Sequence, residues 1–215
     1  MGTGPVPRTV TKVDLPTRAQ LRAGDRAAFG ALFDTFAGAV HRYATRWTGD
    51  PTAAEDVVSL TFLEAWRLHE KLLPEGGSVL PWLLGIATNV LRNTGRSARR
   101  HRDALQRMPA PPAEPDFVDD LVDRAHDAAR LAAAHRAVGR LRRAEREVVL
   151  LCVWSGLDYA SAAEALGVPV GTVRSRLSRA RGKLRRLVAA DPELAPDPET
   201  AMDGRAFVAR SNQKG

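Results

Sequence analysis

The sequence has few of the residues that form covalent cross-links or membrane spans. Only one cysteine, Cys152, occurs in 215 residues, so no disulfide can form within the chain. Its neighbours Leu150, Leu151 and Val153 are apolar, which predicts a buried structural thiol in a reducing compartment. No run approaches the roughly 18 apolar residues that cross a bilayer, and residues 1–16 lack the apolar segment of a secretion signal. We therefore expect a cytoplasmic protein without membrane insertion.

The usual sequence signatures of an enzyme are also missing. The chain has no glycine-rich phosphate-binding loop and no nucleophile motif. Its five histidines are scattered without metal-ligand spacing, at His41, His69, His101, His126 and His135. No pair of strand-like segments is present either. These absences predict an all-α protein that binds its partners without catalysis, and without a cofactor, a metal or a small-molecule substrate.

Positive charge and helix-forming residues are what the sequence has in excess. It carries 32 Lys+Arg against 25 Asp+Glu, with a formal charge of +7, and most of the basic residues are arginine. Arginine suits phosphates and guanine edges, so a polyanionic partner is expected. Apolar spacings of three and four run through residues 18–107 and 119–188, and a proline-rich acidic segment at 108–118 separates them. We predict two small helical domains joined by a flexible linker, with flexible tails at 1–17 and 189–215.

The second block contains a helix-turn-helix pattern. Residues Tyr159 to Leu166 predict a short helix, Gly167 supplies the turn, and Pro169 opens a second helix that runs to about Val188. The apolar residues of the second helix share one arc, which predicts its buried face: Val170, Val173, Leu177, Ala180, Leu184 and Leu187. The opposite arc carries Arg174, Ser175, Ser178 and Arg179, flanked by Arg176 and Lys183. Because no acid occurs between residues 168 and 188, this face predicts contact with DNA.

A second two-faced helix is predicted at residues 82–102. Its apolar arc comprises Trp82, Leu83, Ile86, Ala87, Val90 and Leu91. The other arc is a stripe of amides and guanidiniums, formed by Asn89, Arg92, Asn93, Arg96, Arg99 and Arg100. Such a stripe suits both phosphates and unstacked bases, although a solvated helix surface often has the same composition.

The helix predicted at residues 54–68 carries two leucines on its polar side. Its core arc comprises Val57, Val58, Phe62, Ala65, Trp66 and Leu68. Leu60 and Leu63 lie opposite this arc, among charged and polar residues that include Asp56 and Ser59. Single exposed leucines are common, but two of them ringed by charge are typical of a small binding anchor with a polar rim. We interpret these four residues as a docking face.

Four segments in this order resemble the extracytoplasmic-function group of the sigma-70 family. They are Ala54-Glu55-Asp56-Val57-Val58 with Thr61-Phe62-Leu63-Glu64-Ala65-Trp66, then Pro81 to Asn89, then Arg140 to Glu147, and finally Val168 to Leu177. The resemblance spans about 20–188. It departs from the family at Ser59-Leu60, where Gln-Glu is frequent, and in the loop Leu72 to Leu80, which contains Pro74, Gly76 and Gly77.

The resemblance implies a sigma factor that directs core RNA polymerase to promoters. Residues 18–107 would be sigma region 2, which docks on the polymerase β′ subunit and binds and opens the −10 element. The loop Glu70 to Leu80, with Asn89 and Asn93, would contact the unpaired bases. Residues 119–188 would be region 4, which reads the −35 element as duplex DNA. The implied partners are core polymerase (β′ and β subunits), duplex and single-stranded promoter DNA, and an anti-sigma factor.

An autonomous helix-turn-helix regulator is the alternative, since residues 157–188 alone are also similar to the DNA-binding part of response regulators. A receiver domain needs alternating strands and helices, and residues 18–107 show no such alternation. Co-purification with core RNA polymerase would distinguish the two, because a sigma factor should co-purify and an autonomous regulator need not.

Overall fold

The computed structural model describes residues 15–105 and 135–190, which form helices and no strand. The all-α prediction is therefore confirmed for this part of the chain. The predicted linker at 108–118, most of the N-terminal tail and nearly all of the C-terminal tail lie outside the described residues. No described helix is long and apolar enough to span a membrane.

The first module is a bundle whose helices begin and end at recognisable caps. It comprises α1 (Arg18–Arg22), α2 (Arg26–Thr48), α3 (Pro51–Arg67), a 3-10 turn (His69–Lys71) and α4 (Leu80–Leu105). Asp25 caps α2 by accepting hydrogen bonds from the backbone of Ala27 and Ala28. Gly49 then ends α2 in the left-handed conformation, at φ 76°, and Asp50 caps α3. The tight α2–α3 connection brings two long helices together as antiparallel neighbours.

The second module contains the predicted helix-turn-helix. Residues 135–139 are helical, followed by α5 (Arg143–Val149), a π-helical turn (Leu150–Trp154), α6 (Tyr159–Leu166) and α7 (Val170–Ala190). Asp158 caps α6 by accepting a hydrogen bond from the Ser161 backbone, which lowers the pKa of that carboxyl group. Gly167 ends α6 at φ 63°, so the turn prediction is confirmed.

One apolar core runs through both modules. In the first module α2, α3 and α4 pack together, and the buried Tyr43 hydroxyl lies 2.7 Å from the Thr88 hydroxyl. The core continues where α4 packs on α6 and where α2 contacts the turn Leu150–Trp154. The two helices approach closely at Gly85, where an added Cβ would lie 2.5 Å from the Ala165 carbonyl oxygen. Glycine therefore permits the close approach of α4 and α6.

Two residues predicted for the core are exposed instead. Trp66 is 37% exposed, because its ring lies at the rim of the bundle. The ring packs edge-on against Phe29, with 4.8 Å between the two ring centroids. Val170 is 40% exposed, because it is the first residue of α7 and lies one turn before Val173, where the helix becomes buried. Helical periodicity identifies the buried side of a helix, but a helix end or a rim position on that side can remain in solvent.

Candidate nucleic-acid interface

The basic face of α7 is open to solvent. Arg174, Ser175, Ser178 and Arg179 are all exposed, whereas Val173, Leu177 and Ala180 are buried beneath them. The Arg174 guanidinium lies 5.9 Å from the centre of the Tyr159 ring, and Arg179 donates a hydrogen bond to the Ser175 carbonyl at 3.2 Å. The helix-turn-helix thus presents two arginines and two hydroxyls on one exposed surface, with an aromatic ring supporting one arginine.

The two basic residues that flank this face of α7 are less accessible to solvent. Arg176 is half-buried, and Lys183 donates a hydrogen bond to the Arg140 carbonyl at 2.6 Å. Lys183 thereby ties α7 to the segment that precedes α5. Because the lysine ammonium has three N–H donors, it can keep this hydrogen bond and still donate another one to a phosphate.

The polar stripe of α4 divides into free and engaged residues. Asn89, Asn93 and Arg96 are exposed, whereas Arg92 is half-buried. Arg99 and Arg100 belong to the helix, but their side chains lie outside the described residues. The stripe predicted from the sequence therefore begins on an accessible surface of the first module.

Arg92 forms a bidentate ion pair with Glu147 of the second module. Its Nε and Nη2 atoms each lie 2.7 Å from a Glu147 carboxylate oxygen, and its Nη1 donates to Asn89 Oδ1 at 3.0 Å. Glu147 is 1% exposed, and Arg143 lies 3.7 Å from its carboxylate. The hydrogen bond to Glu147 raises the pKa of Arg92. The sequence does indicate a buried charge here, because Glu147 directly precedes the apolar run 148–153. A charge buried there needs a partner of opposite charge.

Two further arginines stabilise the contact between the modules. Arg46 of α2 donates to the Trp154 carbonyl at 3.3 Å and lies over its ring at 5.8 Å. Arg146 of α5 lies over the Trp47 ring at 5.8 Å, and burial lowers the pKa of its guanidinium. Part of the arginine excess therefore serves the contact between the modules. Sequence analysis missed these residues, because spacing within one helix does not show which residue of another helix will lie opposite.

The predicted docking residues of α3 are accessible together. Asp56, Ser59, Leu60 and Leu63 are all exposed, with Leu60 at 41% and Leu63 at 56%. Leu60 lines a groove between α3 and α4 that also includes Asn89.

A further exposed apolar side chain lies on α2. Phe33 is 45% exposed, and its ring meets Phe62 of α3 edge-on at 4.9 Å. An exposed apolar side chain therefore lies on α2 as well as on α3.

The loop that precedes α4 is anchored by a side chain of α1. Arg18 is 9% exposed and donates hydrogen bonds to backbone carbonyls of this loop.

Within the two described parts of the chain, no group of three or more histidine, cysteine, aspartate or glutamate side chains could hold a metal ion. The accessible side chains of the two modules include arginines, amides, hydroxyls and the two leucines of α3.

Comparison with known families matches both modules. The family described as sigma-70 region 2 matches residues 32–101, and the family described as sigma-70, region 4 matches residues 131–184. The first match opposes the autonomous-regulator alternative, because it covers the block that would have held a receiver or ligand domain. Both matches fall within the two helical blocks predicted from the sequence.

Individual relatives agree with the family matches. The chain is 36% identical over 169 residues to the protein named ECF RNA polymerase sigma factor SigL of Mycobacterium tuberculosis, covering 76% of this chain and 90% of SigL. It is similar to CnrH, solved in complex with the cytosolic domain of CnrY, at a TM-score of 0.60 and 28% identity, over 83% of this chain and 99% of that one. It is also similar to the sigma factor RpoE of Bartonella quintana, solved with the anti-sigma factor NepR, at a TM-score of 0.54 and 27% identity, over 76% of this chain and 98% of that one.

Proposed function

The chain belongs to the extracytoplasmic-function group of sigma-70 RNA polymerase sigma factors, which direct promoter-specific initiation, and we propose how its two modules divide this task. Residues 18–107 dock on core polymerase and bind the −10 element, and residues 119–188 read the −35 element. The observation that carries the proposal is the exposed face of α7, which offers Arg174, Ser175, Ser178 and Arg179 without any acid from residue 168 to 188.

Recognition of the −35 element is tested by replacing one arginine of this face. Arg174→Ala should lose about 1–3 kcal/mol of binding on the cognate −35 duplex, the value of one good base contact, and less on scrambled DNA. Arg186→Ala is the matched control, because it removes the same charge from an exposed position three turns further along α7. Binding is measured with polymerase holoenzyme on promoters identified by run-off transcription of genomic fragments. Equal losses on cognate and scrambled DNA would contradict a base-reading role for Arg174.

Binding of the −10 element is assigned to the first module. Asn89, Asn93 and Arg96 are exposed on α4, and the loop Glu70 to Leu80 leads into this helix, whose first residue is Leu80. Amides can hydrogen-bond unpaired base edges, and arginines can neutralise the adjacent phosphates. Contacts to unpaired bases offset the cost of unstacking, which is a few kcal/mol per base. Arg99 and Arg100 continue the stripe in the sequence and belong to the same proposal.

The ion pair of Arg92 sets a condition on this step. While Arg92 holds Glu147, its guanidinium cannot also bind a phosphate in the same bidentate geometry. We therefore propose that the modules separate when the protein engages polymerase and promoter. The flexible linker predicted at 108–118 would permit it, because 11 extended residues reach about 36 Å at about 3.3 Å each. That span is about one turn of B-DNA, at about 34–36 Å per turn.

Docking on core polymerase is assigned to Asp56, Ser59, Leu60 and Leu63 of α3, with the β′ subunit as the partner surface. The exposed leucines and their polar rim support this assignment. Two of the similar solved structures are complexes, with the cytosolic domain of CnrY and with NepR, and we propose an anti-sigma factor as a further partner on this basis. A reducing cytoplasm is the expected compartment for these partners.

A further inference from the structure

The loop between the 3-10 turn and α4 has no regular backbone hydrogen bonding, so its carbonyl groups need other partners. Arg18 of α1 supplies three of them from more than fifty residues away in the sequence. Its Nε donates to the Gly77 carbonyl at 3.2 Å, its Nη1 to Leu73 at 3.0 Å and its Nη2 to Ser78 at 3.1 Å. Three N–H groups of the guanidinium therefore donate to the loop backbone.

The rest of α1 and the loop ends reinforce this arrangement. Arg22 donates to the Glu70 carbonyl at 2.6 Å and also to the Leu72 carbonyl. The side chains of Leu72 and Val79 are buried at the two ends of the loop. The loop is thus anchored at both ends by apolar side chains, and its backbone is held by two arginines of one short helix.

The tip of the loop wraps around the Arg18 guanidinium. Gly76 has a φ of +134°, and a Cβ added there would lie 3.0 Å from Arg18 Cζ. Leu73 and residues 74–78 are exposed, whereas Arg18 is 9% exposed. Arg18 therefore fixes the shape of an exposed surface without itself belonging to that surface. A planar group with several donors in a fixed fork matches three carbonyls held in this arrangement.

We propose that Arg18 is a positioning residue for −10 recognition, which holds residues 72–79 in the shape that reads unpaired bases. The inference rests on the proposed function of the first module, and it adds a residue of α1 that lies below the reading surface. Because Arg18 acts through the loop, its loss changes which bases are preferred. Loss of a phosphate contact would instead weaken all sequences alike.

The test uses holoenzyme assembled from core polymerase and the full chain. The probe is a single-stranded oligonucleotide with the non-template −10 sequence of a promoter found by run-off transcription, together with single-base substitutions of it. Arg18→Ala should lower affinity for the cognate probe at least about tenfold and flatten the base preference, with unchanged affinity for core polymerase and −35 duplex. Arg26→Ala is the matched control, since it removes an exposed arginine from the start of α2.

Arg18→Lys separates shape from charge. A lysine keeps the charge but lacks the fork, so the flattened base preference should persist. Full recovery of the preference by lysine would overturn the proposal, as would a wild-type preference in Arg18→Ala. If the wild-type holoenzyme itself has no −10 base preference, the proposed function of the first module fails, whatever Arg18 does.

A second variant covers the case in which Arg18→Ala does not fold. Gly76→Ala leaves the arginine in the chain but presses a methyl group against its guanidinium, at a φ that residues with side chains rarely adopt. It should flatten the same preference. Gly30→Ala is its control, because that glycine lies in α2 with nothing within 4 Å of the added Cβ. A wild-type base preference in Gly76→Ala would overturn the proposal.

Discussion

The ion pair between the modules gives the most quantitative prediction. Glu147→Ala removes two charge-assisted hydrogen bonds of 2.7 Å that join α5 to α4. Breaking a fully buried pair costs about 3–5 kcal/mol. Here Glu147 is buried, but the Arg92 side chain is 24% exposed and can turn back into water. Because this rehydration offsets part of the loss, we expect a cost of about 2 kcal/mol.

This cost should appear in the equilibrium between packed and separated modules. About 2 kcal/mol changes that equilibrium roughly thirtyfold, since 1.4 kcal/mol corresponds to a factor of ten. The separated form should show a larger radius of gyration in small-angle X-ray scattering. Its tryptophan emission should also shift to longer wavelength, because Trp47 and Trp154 both lie at the contact beneath arginines. Glu164→Ala, which removes an exposed acid from α6, should change neither signal.

A double-mutant cycle isolates the pair from other effects. Arg92→Ala alone leaves the Glu147 carboxylate buried, with the exposed Arg143 at 3.7 Å and without its bidentate partner, so it should cost at least as much as Glu147→Ala. The double variant should be less destabilised than the sum of the two single variants, by about 1 kcal/mol or more. Additive effects, or a radius of gyration that does not change in any of the three variants, would refute the reasoning that this pair holds the modules together.

Two further predictions concern the docking face and the single thiol. The double change Leu60→Ala with Leu63→Ala should keep the thermal midpoint of the protein, since both leucines are exposed. It should weaken binding to core polymerase at least about tenfold. Val153→Ala is the control, because it truncates another exposed apolar residue. Unchanged polymerase affinity would exclude the anchor, and a large fall in the midpoint would assign the leucines to the core. Burial raises the pKa of the Cys152 thiol to about 11, so its thiolate population at pH 8 should be about a hundredfold below that of an ordinary thiol. Iodoacetamide should accordingly alkylate the folded protein far more slowly than the guanidinium-unfolded chain, and equal rates would contradict the burial of this residue.

The sequence predicted those features that depend on spacing within one helix. The end of the helix Tyr159–Leu166 was predicted from Gly167, and the buried face of α7 was predicted from the recurrence of Val173, Leu177 and Ala180. Leu60 and Leu63 were predicted to be exposed by the same reasoning, and both are. Each of these features is determined by residues a few positions apart. Such local relations can be worked out on a helical wheel.

What the sequence could not predict is the set of contacts between distant segments. Arg18, Arg46, Arg92 and Arg146 all count equally toward a basic composition, yet each is bound to a carbonyl, a carboxylate or a ring elsewhere in the chain. Their partners lie 55 to more than 100 residues away, so no periodicity relates them. Gly85 is a further example. A side chain cannot fit there because of the Ala165 carbonyl, which belongs to the other module and lies 80 residues away in the sequence.

These distant contacts change what a basic residue in this chain can do. An arginine on the face of α7 is exposed and can bind DNA at once, whereas Arg92 must first release Glu147. Under the proposed function the two modules therefore differ in when they become competent to bind DNA, because the proposed −35 surface is accessible in the packed arrangement and Arg92 of the proposed −10 stripe is not. This ordering requires that binding to polymerase and promoter supply at least the free energy of the contact between the modules. Glu147→Ala weakens that contact without removing a residue of the proposed −10 stripe, and it should thus raise the affinity of the free protein for single-stranded −10 DNA while leaving the exposed face of α7 as it is.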